Sequence, residues 1–223
     1  IAYTINAMSA ICSGFTILFL FWSITMLAKK FVKKPEEMTT AQMIAVFGSG
    51  LVGSLAYAFS DTFWYSAVEG EVYAMSSCFT AIVFWAILKW ESQADDTHNL
   101  RWLLLIAFLI GISIGVHLLN LLAIPAVTYV YYFKKFPHVE KNKKKKFLLV
   151  GVISMVLVAF ILYFVVPYIV ILAGKFEIFF TNSLNAPFNT GTIVYFVLLI
   201  AAIAFGLYYS TKKNKPVLNA SIL

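Results

Sequence analysis

Charged side chains are scarce in this 223-residue chain, where they make up 12% of the sequence against 61% hydrophobic residues. Soluble globular domains are about one-quarter charged and one-half apolar, so the shortage excludes an ordinary soluble domain. The chain also has only 2 cysteines, and neither lies in a CxxC or Cys/His pattern that would indicate a metal site. The composition therefore predicts a membrane protein.

Other classes of function lack their sequence signals. The chain has no Walker A loop and no HExxH motif, so an ATP-driven function is unsupported. The net charge of +7 does not indicate a nucleic-acid partner, because the lysines lie between apolar runs and form no patch interleaved with aromatic residues. We expect no nucleic acid among the partners.

Long apolar runs fill most of the sequence. A helix needs roughly 20 apolar residues to cross the hydrocarbon layer, and the runs predict an all-α, polytopic transmembrane helix bundle of about seven spans. We expect one transmembrane domain over residues 1–223, an excerpt of a longer protein. The predicted spans are 5–28, 41–60, 72–88, 102–116, 118–133, 147–172 and 192–210.

The run from Trp102 to Phe133 decides the number of crossings. Its 32 residues would form one helix of about 48 Å, whereas the hydrocarbon layer is about 30 Å thick. We therefore predict a short hairpin at 102–133, with an apex at 115–120 that lies at or below the outer headgroup level. The hairpin also keeps Arg101 and Lys134 on one side of the membrane.

Basic residues predict the orientation of the bundle. With seven spans, all of the 17 basic residues except Lys175 fall on one side. Because positive charge marks the cytoplasmic side, the segment that contains Glu69 is predicted to be extracytoplasmic. The residues on the lysine-rich side are Lys29, Lys30, Lys33, Lys34, Lys89, Arg101, Lys134, Lys135, Lys141, Lys143, Lys144, Lys145, Lys146, Lys212, Lys213 and Lys215.

Three of the 10 acidic residues, Asp61, Glu69 and Glu71, lie close together beside apolar spans. Acids so near the hydrocarbon are usually kept for a function. We predict that they act as a general base, or that Glu69 and Glu71 hold a divalent cation such as Mg or Mn. If 61–71 is a surface helix, Asp61, Tyr65 and Glu69 share a face, and Glu71 joins them only if the backbone breaks at Gly70. The alternative makes Asp61 a helix cap and the glutamates solvated loop residues.

Further polar residues are predicted on the same side. His117 and Asn120 lie at the hairpin apex, where they would contact phosphate or sugar hydroxyls, although a histidine beside a helix end is often structural. Tyr65 is a further candidate for substrate contact. Lys175, in a predicted outer loop at 174–191, would meet an anionic headgroup, unless the loop is merely solvated.

Three stretches resemble a known family. They are Phe59-Ser-Asp-Thr-Phe-Trp-Tyr-Ser-Ala-Val-Glu-Gly-Glu-Val-Tyr-Ala74, Gly111-Ile-Ser-Ile-Gly-Val-His-Leu-Leu-Asn120 and Asn182-Ser-Leu-Asn-Ala-Pro-Phe-Asn189. The chain resembles the bacterial membrane proteins grouped as domain of unknown function 2723, which are similar to protein O-mannosyltransferases of the GT-C glycosyltransferase superfamily.

The resemblance implies a multi-span inverting enzyme of the bacterial inner (plasma) membrane. Such an enzyme moves a sugar from a polyprenyl-phosphate donor to a protein or peptide hydroxyl outside the cytoplasm. Glu69 and Glu71 would match the acids of the second outer loop, with Asp61 a weaker candidate. The N-terminal span or spans and the first outer loop would precede Ile1.

Two other functions stay open at the level of sequence. A transporter or flippase subunit would need ionisable residues near the bilayer midplane and paired broken helices. A non-enzymatic membrane assembly factor would leave the carboxylates as a solvated rim.

Overall fold

Helices are the regular elements of the part of the chain that the computed structural model describes, residues 2–137 and 142–213. The chain divides into two compact units, Ile1–Lys143 and Lys144–Leu223. In chain order, the helices are α1 (Ala2–Lys29), α2 (Thr40–Ala58), α3 (Asp61–Val68), α4 (Val72–Ser92), α5 (Leu100–Ile114), a 3₁₀-helix (Leu118–Leu122), α6 (Ala123–Lys135), α7 (Lys143–Phe160), a π-helical turn (Ile161–Val165), α8 (Val166–Leu184) and α9 (Thr190–Lys212).

The predicted fold class is confirmed. Each of the seven predicted spans coincides with helix, and five continuous helical stretches are long and apolar enough to cross a membrane. The other two spans are α5 and α6, which at 15 and 13 residues extend only about 22 and 20 Å. They form the short pair that the sequence predicts at 102–133.

Helix α4 is the centre of the first unit, where it packs against α1, α5 and α6. Its buried face forms the core with Ala94, just past its end, and with Ile106 of α5. Trp90 stacks on Tyr131 of α6 at a ring distance of 5.2 Å. The core residues are Val83, Ala86, Ile87, Trp90, Ala94 and Ile106. Since α4 packs against α1, α5 and α6, we describe the two ends of this unit by the two ends of α4.

Contacts at the C-terminal end of α4 confirm the hairpin. The indole Nε1 of Trp102, at the start of α5, donates to Gln93 Oε1 at 2.6 Å. At the end of α6, Lys134 Nζ pairs with Asp95 at 3.0 Å. Both ends of the hairpin therefore lie at the same end of α4.

The same end of the first unit carries further basic residues. Lys30, just past the end of α1, forms an ion pair with Glu91 of α4. We call this the lysine end of the unit, and the end formed by α3, the start of α4 and the hairpin apex the acid end. Of the basic residues used to predict orientation, Lys141 and Lys215 lie outside the described residues.

The second unit differs from its prediction in one respect. Helix continues from Lys143 to Leu184, so the predicted outer loop at 174–191 is wrong for its first half, and only 185–189 separate α8 from α9. No proline occurs between Pro167 and Asn185. The helix ends at Asn185, which adopts a left-handed conformation with φ of 51°. The π-helical turn ends at Val165, two residues before Pro167, whose ring and missing N–H disturb the preceding turn of a helix.

Candidate functional site

The two glutamates lie in the short non-helical junction between α3 and α4. Helix α3 ends at Val68, and Glu69 follows in extended conformation with φ of −89° and ψ of 141°. Glu71 is also extended and occupies the N-cap position of α4. The surface helix predicted over 61–71 is thus shorter than expected, and Glu69 does not continue the face that Asp61 and Tyr65 share. The two glutamates can converge only if the helix is interrupted at Gly70, and this interruption is present.

Gly70 allows this junction to lie against α1. A Cβ atom at this position would lie 2.8 Å from Ile5 Cγ2 and 2.9 Å from Asn6 Oδ1, closer than such atoms normally approach. Glycine is therefore needed here because a side chain would not fit, and not because of an unusual backbone angle. The contact fixes the junction at the N-terminal end of α1.

The carboxylates of this junction are exposed and uncommitted. Asp61, Glu69 and Glu71 are all exposed, and among the residues that the structure describes none of the three makes a side-chain hydrogen bond or ion pair. The alternative that made Asp61 a helix cap is wrong, because Ser60 is the N-cap residue of α3 and Asp61 lies in its first turn. There its charge favours the positive end of the helix dipole. Tyr65, 65% exposed, projects from the same short helix.

His117 lies at the hairpin apex, at the same end of the unit. Its Nδ1 accepts a hydrogen bond from the backbone N–H of Leu119 at 3.2 Å, so in the neutral ring Nε2 carries the proton. Its ring is 5.6 Å from that of Tyr73, two residues after Glu71. The structure therefore brings His117 next to the start of α4, although it shows no direct contact with a described acid.

Asn120 is buried and occupied with internal hydrogen bonds. Its side chain is 4% exposed, and its Oδ1 accepts hydrogen bonds from Ser76 Oγ at 2.6 Å and from Thr80 Oγ1 at 3.0 Å. Its Nδ2 donates to the carbonyl of Ser113 at 3.4 Å. Sequence analysis missed Ser76 and Thr80, although two hydroxyls spaced i, i+4 on an apolar helix are the signal that could have indicated a polar partner.

A cavity of about 590 Å³ lies beside Asn120, between α1, α2, α4 and the hairpin. Several of its lining hydroxyls already donate within the protein: Thr16 to the carbonyl of Cys12, Ser23 to that of Phe19, and Ser76 to Asn120. Its remaining lining is largely aliphatic and aromatic. The lining residues are Thr16, Leu20, Ser23, Ile24, Gly53, Tyr57, Ser76, Ser77, Thr80, Ala81, Phe84, Leu119, Asn120, Leu122, Ala123 and Ala126.

Lys175 belongs to the second unit and is exposed on α8. It lies on helix rather than in the predicted loop. The acid of this region, Glu177, accepts hydrogen bonds from the backbone N–H groups of Asn189 and Thr192 at 2.6 and 2.9 Å. Glu177 therefore satisfies the N-terminal donors of α9, a role that sequence analysis missed because the partners are 12 and 15 residues away.

The predicted cation would find few protein ligands. Within 2–137 and 142–213 no three His, Cys, Asp or Glu residues come together in an arrangement that could hold a metal ion. Two carboxylates alone, at Glu69 and Glu71, do not form a protein-only site for Mg or Mn, which prefer several oxygen ligands.

Two glycine patterns in the chain match motif spellings and lie inside helices. Gly48 to Gly53 spells GxGxxG in the middle of α2, and Gly111 to Gly115 spells GxSxG at the end of α5. Ser113, the central residue of the second, is buried and donates to the carbonyl of Ile110. Neither has the strand-to-helix turn that gives these motifs their chemistry.

Comparison with known families identifies the first unit. Residues 1–140 match the model of the protein O-mannosyl-transferase TMEM260 N-terminal domain. The chain belongs to this family. The match covers nearly the same residues as the first compact unit, which ends at Lys143.

The match confirms the O-mannosyltransferase part of the resemblance, together with the general expectation of a membrane glycosyltransferase family. The grouping under domain of unknown function 2723 and the GT-C superfamily stay predictions. Comparison with curated proteins and with solved structures gives no match.

Proposed function

We propose that this chain is the core of an integral membrane glycosyltransferase that moves a sugar from a polyprenyl-phosphate donor to a protein hydroxyl. The observation that carries the proposal is the match of residues 1–140 to a protein O-mannosyltransferase family. The acid end of the unit supports it, because Glu69, Glu71 and His117 all lie there. We assign this end to the extracytoplasmic face of a bacterial plasma membrane, since the opposite end carries Lys30 and Lys134.

The proposed step uses one carboxylate as general base. Glu69 or Glu71 takes the proton of the acceptor hydroxyl, whose oxygen forms a bond to C1 of the sugar. The bond between C1 and the phosphate oxygen breaks with its electron pair, and polyprenyl phosphate leaves. The proton on His117 Nε2 would stabilise the negative charge that develops on the phosphate.

The uncommitted state of the two glutamates fits this role. A general base must be free to meet the acceptor, and a carboxylate already engaged in structural hydrogen bonds is not. Asp61 and Tyr65 are exposed on α3 next to the junction and are proposed to contact the acceptor or the sugar. We route no step through a divalent cation, and we assign Lys175 no part in this step.

The lining of the cavity does not favour a transport function. A transporter needs ionisable groups near the middle of the membrane, and of the residues that line this cavity only Tyr57 has a titratable side chain. Its largely carbon-lined interior instead suits the hydrocarbon chain of the donor.

The test is transfer activity of the full-length protein in membranes. Glu69→Gln and Glu71→Gln, singly and together, keep side-chain size but remove the base, and the loss of a general base typically costs about 10²–10⁴-fold in rate. We expect at least one single variant and the double variant to fall in that range. Asp96→Asn, which neutralises an exposed acid at the lysine end, serves as the matched control. Undiminished transfer by the double variant would refute the assignment.

A further inference from the structure

The hairpin apex has little apolar packing to hold it in place. Leu118, Leu119 and Leu122 are 46%, 60% and 54% exposed, and Leu121 is the one leucine of the 3₁₀-helix that is fully buried. A 3₁₀ segment of five residues is itself weakly stabilised, because its hydrogen-bond geometry is poor. Polar contacts therefore have a larger share in fixing the apex on α4.

The buried amide of Asn120 supplies such contacts. It accepts from two hydroxyls of α4, Ser76 and Thr80, and donates back to Ser113 at the end of α5. The hydroxyl of Thr80 is shared between Asn120 and the carbonyl of Ser76, which lies 3.1 Å away. One side chain thus joins three elements at the acid end: α4, the 3₁₀-helix and α5. Because hydrogen bonds to a buried amide are costly to leave unmade, this cluster specifies one position of the apex.

The position of the apex on α4 also determines where His117 lies. His117 is the N-cap residue of the 3₁₀-helix, three residues before Asn120. Among the described residues, its side-chain contacts are the local hydrogen bond to Leu119 and the ring of Tyr73. A shift of the apex along α4 would carry the imidazole away from Tyr73 and from the glutamate junction.

We propose that Asn120, held by Ser76 and Thr80, is a positioning residue that fixes the hairpin apex on α4 and so keeps His117 beside the glutamate junction. This differs from the direct contact with substrate that the sequence predicts for Asn120. Its contribution to sugar transfer rests on the proposed function; the fixing of the apex does not.

A cross-linking experiment tests the position of the apex independently of activity. In the full-length protein in membranes, with Cys12 and Cys78 replaced by alanine, cysteines replace Tyr73 and His117, and the yield of disulfide under a mild thiol oxidant is measured over time. We expect Asn120→Leu, and Ser76→Ala combined with Thr80→Ala, to slow cross-linking about tenfold, the effect expected from losing hydrogen bonds to a buried amide.

Two variants make the result specific. Thr80→Ser retains both hydroxyls that donate to the amide and should cross-link at nearly the starting rate. Ser77→Ala removes a neighbouring hydroxyl of α4 that makes no side-chain hydrogen bond to the described residues, and should have no effect. Unchanged cross-linking in the Ser76 and Thr80 double variant would overturn the proposal, whether or not Asn120→Leu inserts normally.

Transfer assays on the same Asn120 and Ser76/Thr80 variants, in the background that retains Tyr73 and His117, separate the two hypotheses. If the apex is displaced and transfer falls in parallel in these variants, while Thr80→Ser leaves both unchanged, the positioning role is supported. If cross-linking slows but transfer is unchanged, the apex is fixed as proposed and the role of His117 in the proposed function is refuted.

Discussion

Two junctions between helices place glutamates in opposite situations. At the α8–α9 junction, Glu177 accepts from the backbone of Asn189 and Thr192 and from the hydroxyls of Thr181 and Thr192. At the α3–α4 junction, Glu71 occupies the N-cap position of a helix, yet makes no capping hydrogen bond. Glu71 is placed to cap α4 but does not do so. Glu177, which belongs to α8, caps the start of the following helix, α9.

The difference separates acids that build the structure from acids that are available for chemistry. The N-terminal N–H groups of α9 are satisfied by a carboxylate, which both hydrogen bonding and the helix dipole favour. Asp95 and Glu91, at the lysine end of the first unit, are likewise engaged in ion pairs. Glu69 and Glu71 have no such role among the described residues. The contrast between the two junctions leads to the predictions about stability that follow.

The largest effect is expected from the glycine that brings α9 against α8. A Cβ atom at Gly191 would lie 2.3 Å from the carbonyl oxygen of Phe176 and 2.6 Å from Cα of Glu177, both backbone atoms that cannot turn aside. Gly191→Ala should therefore destabilise the protein by about 3 kcal/mol, the upper range for overpacking. Thermal unfolding in detergent measures the change.

Gly70→Ala is the matched comparison, because the atoms it would meet belong to the side chains of Ile5 and Asn6. These can move, so the expected cost is about 1 kcal/mol. Equal losses at Gly191 and Gly70 would show that the close approach of α9 to α8 is not rigid, and the contrast between the junctions would weaken.

A smaller loss is expected from Glu177→Gln. The substitution keeps the size of the side chain but removes the charge and one acceptor oxygen, so the N-terminal donors of α9 are less well satisfied. The thermal midpoint should fall by less than for Gly191→Ala. Thr181→Val, which removes a single hydroxyl donor to the same carboxylate, should lower it less still, and the reverse order of these two variants would contradict the capping role.

The helical architecture could be predicted from the sequence because it depends on hydrophobic length. Helices and closed barrels both span membranes, but only a helix needs a continuous run of about 20 apolar residues. The basic residues at 101 and 134 indicated that the chain turns back between them. The end of α8 could not be predicted in the same way. Gly174 and the polar residues after it suggested a loop, but no proline occurs between Pro167 and Asn185. Hydrogen bonds of Glu177 with the start of α9 also hold this part of α8 in place.

The residues of the candidate site were chosen from the sequence, and their functional roles stay predictions; what the structure adds is their partners. The clustering of acids marked Glu69 and Glu71, and the shallow apex marked His117 and Asn120. The hydrogen bonds of Asn120 join residues 40 and 44 positions apart, which no local pattern encodes. For the same reason, Asn120 appeared as a ligand contact in the sequence, whereas the structure gives it internal partners.

The last prediction is that Glu69 and Glu71 contribute nothing measurable to stability. Both are exposed, and no hydrogen bond or ion pair of either carboxylate is present among the described residues, so Glu69→Gln with Glu71→Gln should change the free energy of unfolding by less than about 0.5 kcal/mol. Thermal unfolding of this double variant, measured beside Glu177→Gln under identical conditions, provides the comparison. A fall as large as that of Glu177→Gln would mean that the acids hold the α3–α4 junction together. Loss of transfer on their neutralisation would then be explained by structure rather than by a missing base.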